Sequence, residues 1–250
     1  MNKVGERYVN KFGSWYTIIE YKNSRNVTIQ FDDGTIVKNR RYDRINKGIA
    51  VSPYDKSINN ICCIGEGKYK VWEDGKHTLE YGFYHNITTR CFNSNYKDIE
   101  KTYQDVTICE EWKNFQNFAK WVENNYYEVK NETMCIDKDI LVKGNKIYSP
   151  ETCIFVPKSI NSLFVSGKTT RGDLPIGVAL EKSIGKFKAL CGNGHNKQIY
   201  LGCYNTPEEA FRVYKDYKER VIKQVADEYK PYIPKKLYDA MYRYEVEITD

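Results

Sequence analysis

Polar and apolar positions alternate in short runs at the start of the chain, over residues 14–21, 27–31 and 35–37, with Asp32-Asp33-Gly34 between the last two. β-Branched and aromatic residues in that rhythm, with Asp-Gly at a hairpin position, predict a small antiparallel β-barrel of SH3-like size over residues 1–52. Periodicity fades over residues 53–76, where Pro53, Gly65, Gly67 and Gly75 predict a linker or an extension of the next domain. Beyond it the period is helical: Tyr81, Tyr84, Ile87 and Cys91 share a face. Residues 109–126 carry Trp112, Phe115, Ala119 and Val122 as one apolar stripe that Phe118 and Trp121 widen, which is a core face. Two strand-like pieces, 134–136 and 147–148, flank a polar segment with Asp137, Lys138, Asp139, Gly144 and Asn145, and three more strands are predicted over 176–180, 186–191 and 198–201. A helix start comes next, with Thr206 as cap, Pro207 at the first helical position and Glu209 completing a capping box. Ala210, Phe211, Tyr214, Tyr217, Val221 and Val225 form its core side, Pro231 and Pro234 end it, and residues 235–244 predict a last short helix.

Composition sharpens this picture. With 41% hydrophobic, 14% aromatic and 29% charged residues, the 250-residue chain has material for packed cores and for more than one domain. No run of eighteen apolar residues occurs, and the N-terminus lacks an apolar stretch of signal-peptide length, so the expected location is the cytoplasm and no membrane partner is expected. Eight cysteines contain no C-x-x-C pair, which favours buried reduced thiols over zinc or disulfides. The net charge of +6 is uneven: residues 1–50 hold 10 Lys/Arg against 5 Asp/Glu, residues 51–164 hold 14 against 16, and residues 165–250 hold 15 against 12. Basic flanks suit contact with phosphate. In the first segment Arg25, Lys38, Arg40, Arg41 and Arg44 crowd together, as a phosphate-facing patch or as a solvated edge.

Two stretches carry resemblances. Arg171-Gly172, Gly177-Val178, Lys186-Phe187-Lys188-Ala189, Ile199-Tyr200-Leu201-Gly202-Cys203-Tyr204, Thr206, Glu208-Glu209-Ala210 and Tyr214 together resemble the AP2 DNA-binding module. The resemblance implies a three-stranded sheet lying in the major groove with one amphipathic helix behind it. Independently of the family, such a sheet with Lys182, Lys186, Lys188 and nearby Arg171 offers cations at strand spacing. The family's base-reading face uses Arg and Trp, whereas this sheet has mostly Lys and Phe187, which favours phosphate holding over base readout.

The second stretch covers residues 77–165. Tyr81-x-x-Tyr84-His85-x-Ile87-x-x-Arg90-Cys91-Phe92, Tyr103-x-Asp105, Ile108-Cys109-x-x-Trp112, Ile136-Asp137-Lys138-Asp139, Gly144-Asn145 and Tyr148-Ser149-Pro150-Glu151-Thr152-Cys153 are similar to an HNH-like family of bacteriophages and mobile elements. A working site of that kind needs a metal and a histidine base. Here the Asp-His position reads Asp137-Lys138, and the chain's histidines are His77, His85 and His195. The resemblance leaves Asp137, Asp139 and Asn145 as oxygen ligands for Mg²⁺ or another divalent metal, and Asp137, His85 and Arg90 as catalytic candidates. The same aspartates and asparagine also suit ordinary loop hydrogen bonding.

The expected fold is therefore α+β: a small basic β-barrel (1–52), a linker or extension (53–76), an HNH-like α/β unit (77–165) and an AP2-like sheet with C-terminal helices (166–250). Three functions stay open: a non-catalytic double-stranded-DNA-binding protein, a metal-dependent endonuclease or nickase, and a phage accessory or anti-defence protein that binds a host protein in the host cytoplasm.

Overall fold

The alternating N-terminal runs form a four-stranded antiparallel meander in the order of the chain: β1 (Arg7–Val9), β2 (Trp15–Asn23), β3 (Asn26–Phe31) and β4 (Ile36–Arg40). The computed structural model describes residues 3–99, 103–165, 172–195 and 197–250. The sheet is not the closed barrel expected, because β1 pairs only with β2 and β4 only with β3, leaving two edges. The segment after β4 covers its apolar face. Tyr16, Ile18, Val27, Ile29, Phe31 and Val37 pack with Ile45, from the short helix α1 (Tyr42–Ile45), and with Ala50. The Tyr16 hydroxyl donates to the Ile45 carbonyl at 2.6 Å. Buried Asp55 ties the turn before β2 to this cover: its carboxylate accepts from Asn10 Nδ2 (2.6 Å), the Ser52 N–H (2.7 Å) and the Ser14 hydroxyl.

Residues 53–76 are short of regular elements, as their glycines imply, yet they are fastened. Gln116 Nε2 donates to the Tyr69 carbonyl at 3.0 Å and its Oε1 accepts the Tyr69 N–H at 3.1 Å. The hairpin β5 (Trp72–Glu73) and β6 (Lys76–His77) leads into α2 (Leu79–Phe92), whose cap Thr78 accepts the Tyr81 N–H, and then into α3 (Ser94–Ile99). After β7 (Thr107–Ile108) the expected helix over 109–126 starts late. Glu111–Lys113 is a 3₁₀ turn, Asn114 is extended (φ −100°, ψ 120°), and α4 spans Phe115–Asn125 with Asn114 Oδ1 accepting the Gln116 N–H. Tyr84, Trp112, Phe115, Phe118 and Trp121 form the aromatic core around it.

Next come β8 (Met134–Asp137), β9 (Ile147–Tyr148), β10 (Ile154–Pro157) and α5 (Lys158–Ser162). β7 pairs with β9 in parallel and β8 with β10 antiparallel. The last sheet is β11 (Val178–Glu181), β12 (Lys186–Gly192) and β13 (Gln198–Tyr204), antiparallel and in sequence order, succeeded by α6 (Pro207–Tyr229) and α7 (Lys235–Arg243). The expected capping box forms: Thr206 Oγ1 accepts the Glu209 N–H at 3.2 Å, and Glu209 Oε2 accepts the Thr206 N–H at 3.3 Å. The first turns of α6 back the sheet through Ala210, Phe211 and Tyr214 against Val178, Ala189 and Cys191. Gly177 allows this close approach, since it holds φ +75° and a Cβ there would lie 2.0 Å from the Tyr214 ring. The later turns of α6, through Val221, Ile222, Val225 and Ala226, pack with Ile154, Val156, Ile160, Leu237 and Met241.

The chain divides into two compact units, residues 1–124 with 146–150, and residues 125–145 with 151–250. The division runs inside the segment 77–165. All eight cysteines are free thiols, five of them buried. Among the described residues no helix is long and apolar enough to cross a membrane.

Candidate nucleic-acid interface

The outer face of the C-terminal sheet is set by register. Phe187 pairs with Leu180 and Tyr204, and Ala189 with Val178 and Gly202; of these, Phe187, Tyr204, Ala189 and Val178 pack in the cluster with α6. Neighbours along a strand point to opposite faces, so Lys186, Lys188 and Leu190 turn away from the helix, as do Glu181, Ala179 and Cys203 opposite them. Tyr200, opposite Leu190 and 60% exposed, and Gln198, opposite Gly192, complete that face. Lys182 is exposed in the turn from β11 to β12. The structure thus puts Lys186 and Lys188 on one face and Lys182 in the adjoining turn, while Phe187 is corrected to the helix side because the pleat alternates. Arg171 lies outside the described residues. Glu181 lowers the face's net charge: Lys188 Nζ donates to its Oε2 at 3.1 Å, and Lys188, then Ser183, holds the Glu181 carboxyl below its ordinary range. Glu181, Gln198 and Tyr200 were not among the expected site residues; their signal is the two-residue alternation carried across three strands, which needs the register.

A second basic site lies on the N-terminal unit. One extra residue on β4 makes a bulge, with Ile29 opposite Val37 but Val27 opposite Arg40 and Asn39 at φ 56°. Arg40, Arg41 and Arg44 then line one shallow hollow with Ile45, Ile49 and Val51. Arg41 is bidentate on Asp43, at 2.9 and 3.0 Å, whereas Arg40 and Arg44 make no ion pair among the described residues. Lys38 is exposed on β4, and Arg25 is exposed in the turn between β2 and β3.

The expected metal turn is self-satisfied. Asp137 Oδ1 accepts the N–H groups of Asp139 (2.8 Å) and Ile140 (2.7 Å), Asn145 Nδ2 donates to the Lys138 carbonyl (2.7 Å), and buried Lys138 donates from Nζ to Asp139 Oδ2 (2.9 Å). Burial, then the charge of Asp139, pushes the Asp137 carboxyl up to about 6, against the pull of the two N–H groups. This donor set does not fit a divalent cation, because an ammonium already sits on the second carboxylate and the first is turned to backbone. Among the described residues no group of three or more His, Cys, Asp or Glu side chains gathers for a metal.

The other catalytic candidates, His85 and Arg90, belong to the first unit, whereas Asp137, Asp139 and Asn145 belong to the second. His85 is exposed on α2, its ring 6.4 Å from Tyr81. Arg90 is half-buried and donates from Nη1 to the Tyr148 hydroxyl at 3.3 Å. Compared with family models, curated proteins and solved structures, the chain gives no match.

Proposed function

We propose that this chain is a DNA-binding protein of phage or mobile-element type, with an AP2-like C-terminal sheet and the basic N-terminal sheet as its two contacts. The observation that carries the reading is the outer face of β11–β13, where Lys186 and Lys188 share with Gln198 and Tyr200 the side that α6 leaves uncovered, with Lys182 exposed in the adjoining turn. A narrow antiparallel sheet fits the major groove, and lysines act there as point charges on phosphate. Base readout is weak in this arrangement, since among the described residues the strands of this face carry no bidentate arginine fork of the kind that reads guanine. The Asp137–Asn145 turn is a structural remnant of the HNH-like motif, holding its loop through backbone hydrogen bonds.

The test is a titration with random-sequence duplex at two salt concentrations. With about four phosphate contacts, affinity falls roughly a hundredfold between about 50 and 200 mM salt, and it differs little between sequences. Affinity that is flat with salt rejects the reading. Supercoiled plasmid incubated with Mg²⁺ stays intact, and nicking abolished by Asp137→Ala returns the turn to the nuclease class.

A further inference from the structure

We propose that Arg90 and the tyrosines around it form a receptor for a phosphate group, separate from the sheet contacts above. α2 buries Ile87 and Cys91, and the same helix sets Arg90 half-buried among aromatic rings. Tyr148 comes from β9, fixed by its parallel pairing with β7, and its hydroxyl accepts Arg90 Nη1 at 3.3 Å. The Tyr103 ring lies 5.5 Å from the guanidinium carbon, and the Tyr96 ring, from α3, 5.7 Å from that of Tyr103.

Two features of this cage favour an anion. No carboxylate pairs with Arg90 among the described residues, although a guanidinium withdrawn from water ordinarily faces one. Its Nε and Nη2 donate to no acceptor among the described residues, and the side chain is only half-buried. Tyr148 is the second feature. Its oxygen accepts the hydrogen bond from Arg90 Nη1 and its O–H donates to no acceptor among the described residues, and burial holds its phenol above the ordinary range, so it remains a donor. Two uncommitted guanidinium nitrogens and a hydroxyl proton therefore belong to one hydrogen-bonded pair of side chains. Phosphate supplies acceptor oxygens in the fork geometry arginine prefers, and the apolar ring faces strengthen each bond by excluding water.

The phosphate has two sources, a nucleic-acid backbone or a small phosphate compound, and one experiment separates them. The full chain is titrated with inorganic phosphate against chloride at equal ionic strength, by calorimetry and thermal melting, for wild type, Arg90→Gln, Arg90→Lys and Tyr148→Phe. Wild type saturates with phosphate and melts higher in it; Arg90→Gln loses both responses; Arg90→Lys, which keeps the charge without the fork, binds about tenfold more weakly. Tyr148→Phe keeps the ring and weakens binding several-fold. Wild type indifferent to phosphate, or Arg90→Lys and Tyr148→Phe both binding as wild type does, overturns the proposal, and this holds even where Arg90→Gln fails to fold. Competition by a duplex oligonucleotide upholds the site and assigns it to the backbone. Undiminished phosphate binding in its presence upholds the site and assigns it to a small phosphate compound. Because Lys186→Ala with Lys188→Ala leaves the phosphate response intact, failure here is distinct from failure of the DNA-binding sheet.

Discussion

The N-terminal sheet β1–β4 and the C-terminal sheet β11–β13 are both antiparallel meanders with basic surfaces, yet they are held and charged differently. A short helix covers the core of the first, and the buried carboxylate of Asp55 ties that cover to a turn. The second is backed by the first turns of α6 through apolar contacts. Their cations differ as well. Arg40 and Arg44 make no ion pair among the described residues, whereas Lys188 is bonded to Glu181 and Lys186 stands opposite it in register. Resemblance points to the C-terminal sheet, but after ion pairing the less neutralised charge belongs to the N-terminal one.

The largest effect expected of this contrast is on stability. Asp55→Ala strands three buried or half-buried donors and costs about 3–5 kcal/mol, read by urea unfolding. A cost under about 1 kcal/mol shows that apolar packing alone holds the first sheet, as it holds the second.

A second prediction uses opposite titrations in the two units. Glu6 accepts from Lys3, Tyr8 and Tyr42, and these bonds hold its carboxyl down at about 2. A depressed carboxyl adds stability above its unfolded value near about 4, lost as pH falls toward the folded value. Asp137, raised to about 6, has the reverse sign: its contribution is present below about pH 4 and lost as pH rises through about 6. Asp137→Asn keeps an oxygen for the Asp139 and Ile140 N–H groups, so the variant gains up to about 2 kcal/mol over wild type at pH 8 and nothing at pH 4. Equal melting differences at both pH values contradict the burial of that carboxylate.

The smallest effects are on DNA affinity. Arg40→Ala with Arg44→Ala lowers it about tenfold at low salt, and Lys186→Ala with Lys188→Ala lowers it only a few-fold, because Glu181 already offsets part of that charge. Glu181→Gln raises affinity. Fluorescence anisotropy that ranks the two double variants the other way makes the C-terminal sheet the stronger contact despite its ion pair.

Much of the local structure was legible. The capping box at Thr206 and Glu209, the hairpin at Asp32-Asp33-Gly34 and the three C-terminal strands depend on residues close in the chain, where propensity and hydrogen-bonding reach act directly. The late start of α4 was not, since Asn114 trades a helical conformation for a cap, and apolar periodicity runs straight through that break. Nor was β10, whose Ile-Phe-Val-Pro run lacks alternation because all four residues are buried.

By itself, then, the sequence determined strands β2–β4 and β11–β13, the capped helix α6, the basic flanks and the lysines of the last sheet. Tertiary structure alone decided that the first sheet stays open, that Glu181 answers Lys188, that Lys138 occupies Asp139, and that Tyr148 meets Arg90 from 58 positions away. The reason is that strand edges, ion pairs and cages depend on which distant or neighbouring side chains share a face, and short-range periodicity carries no information about which partner the chain brings there.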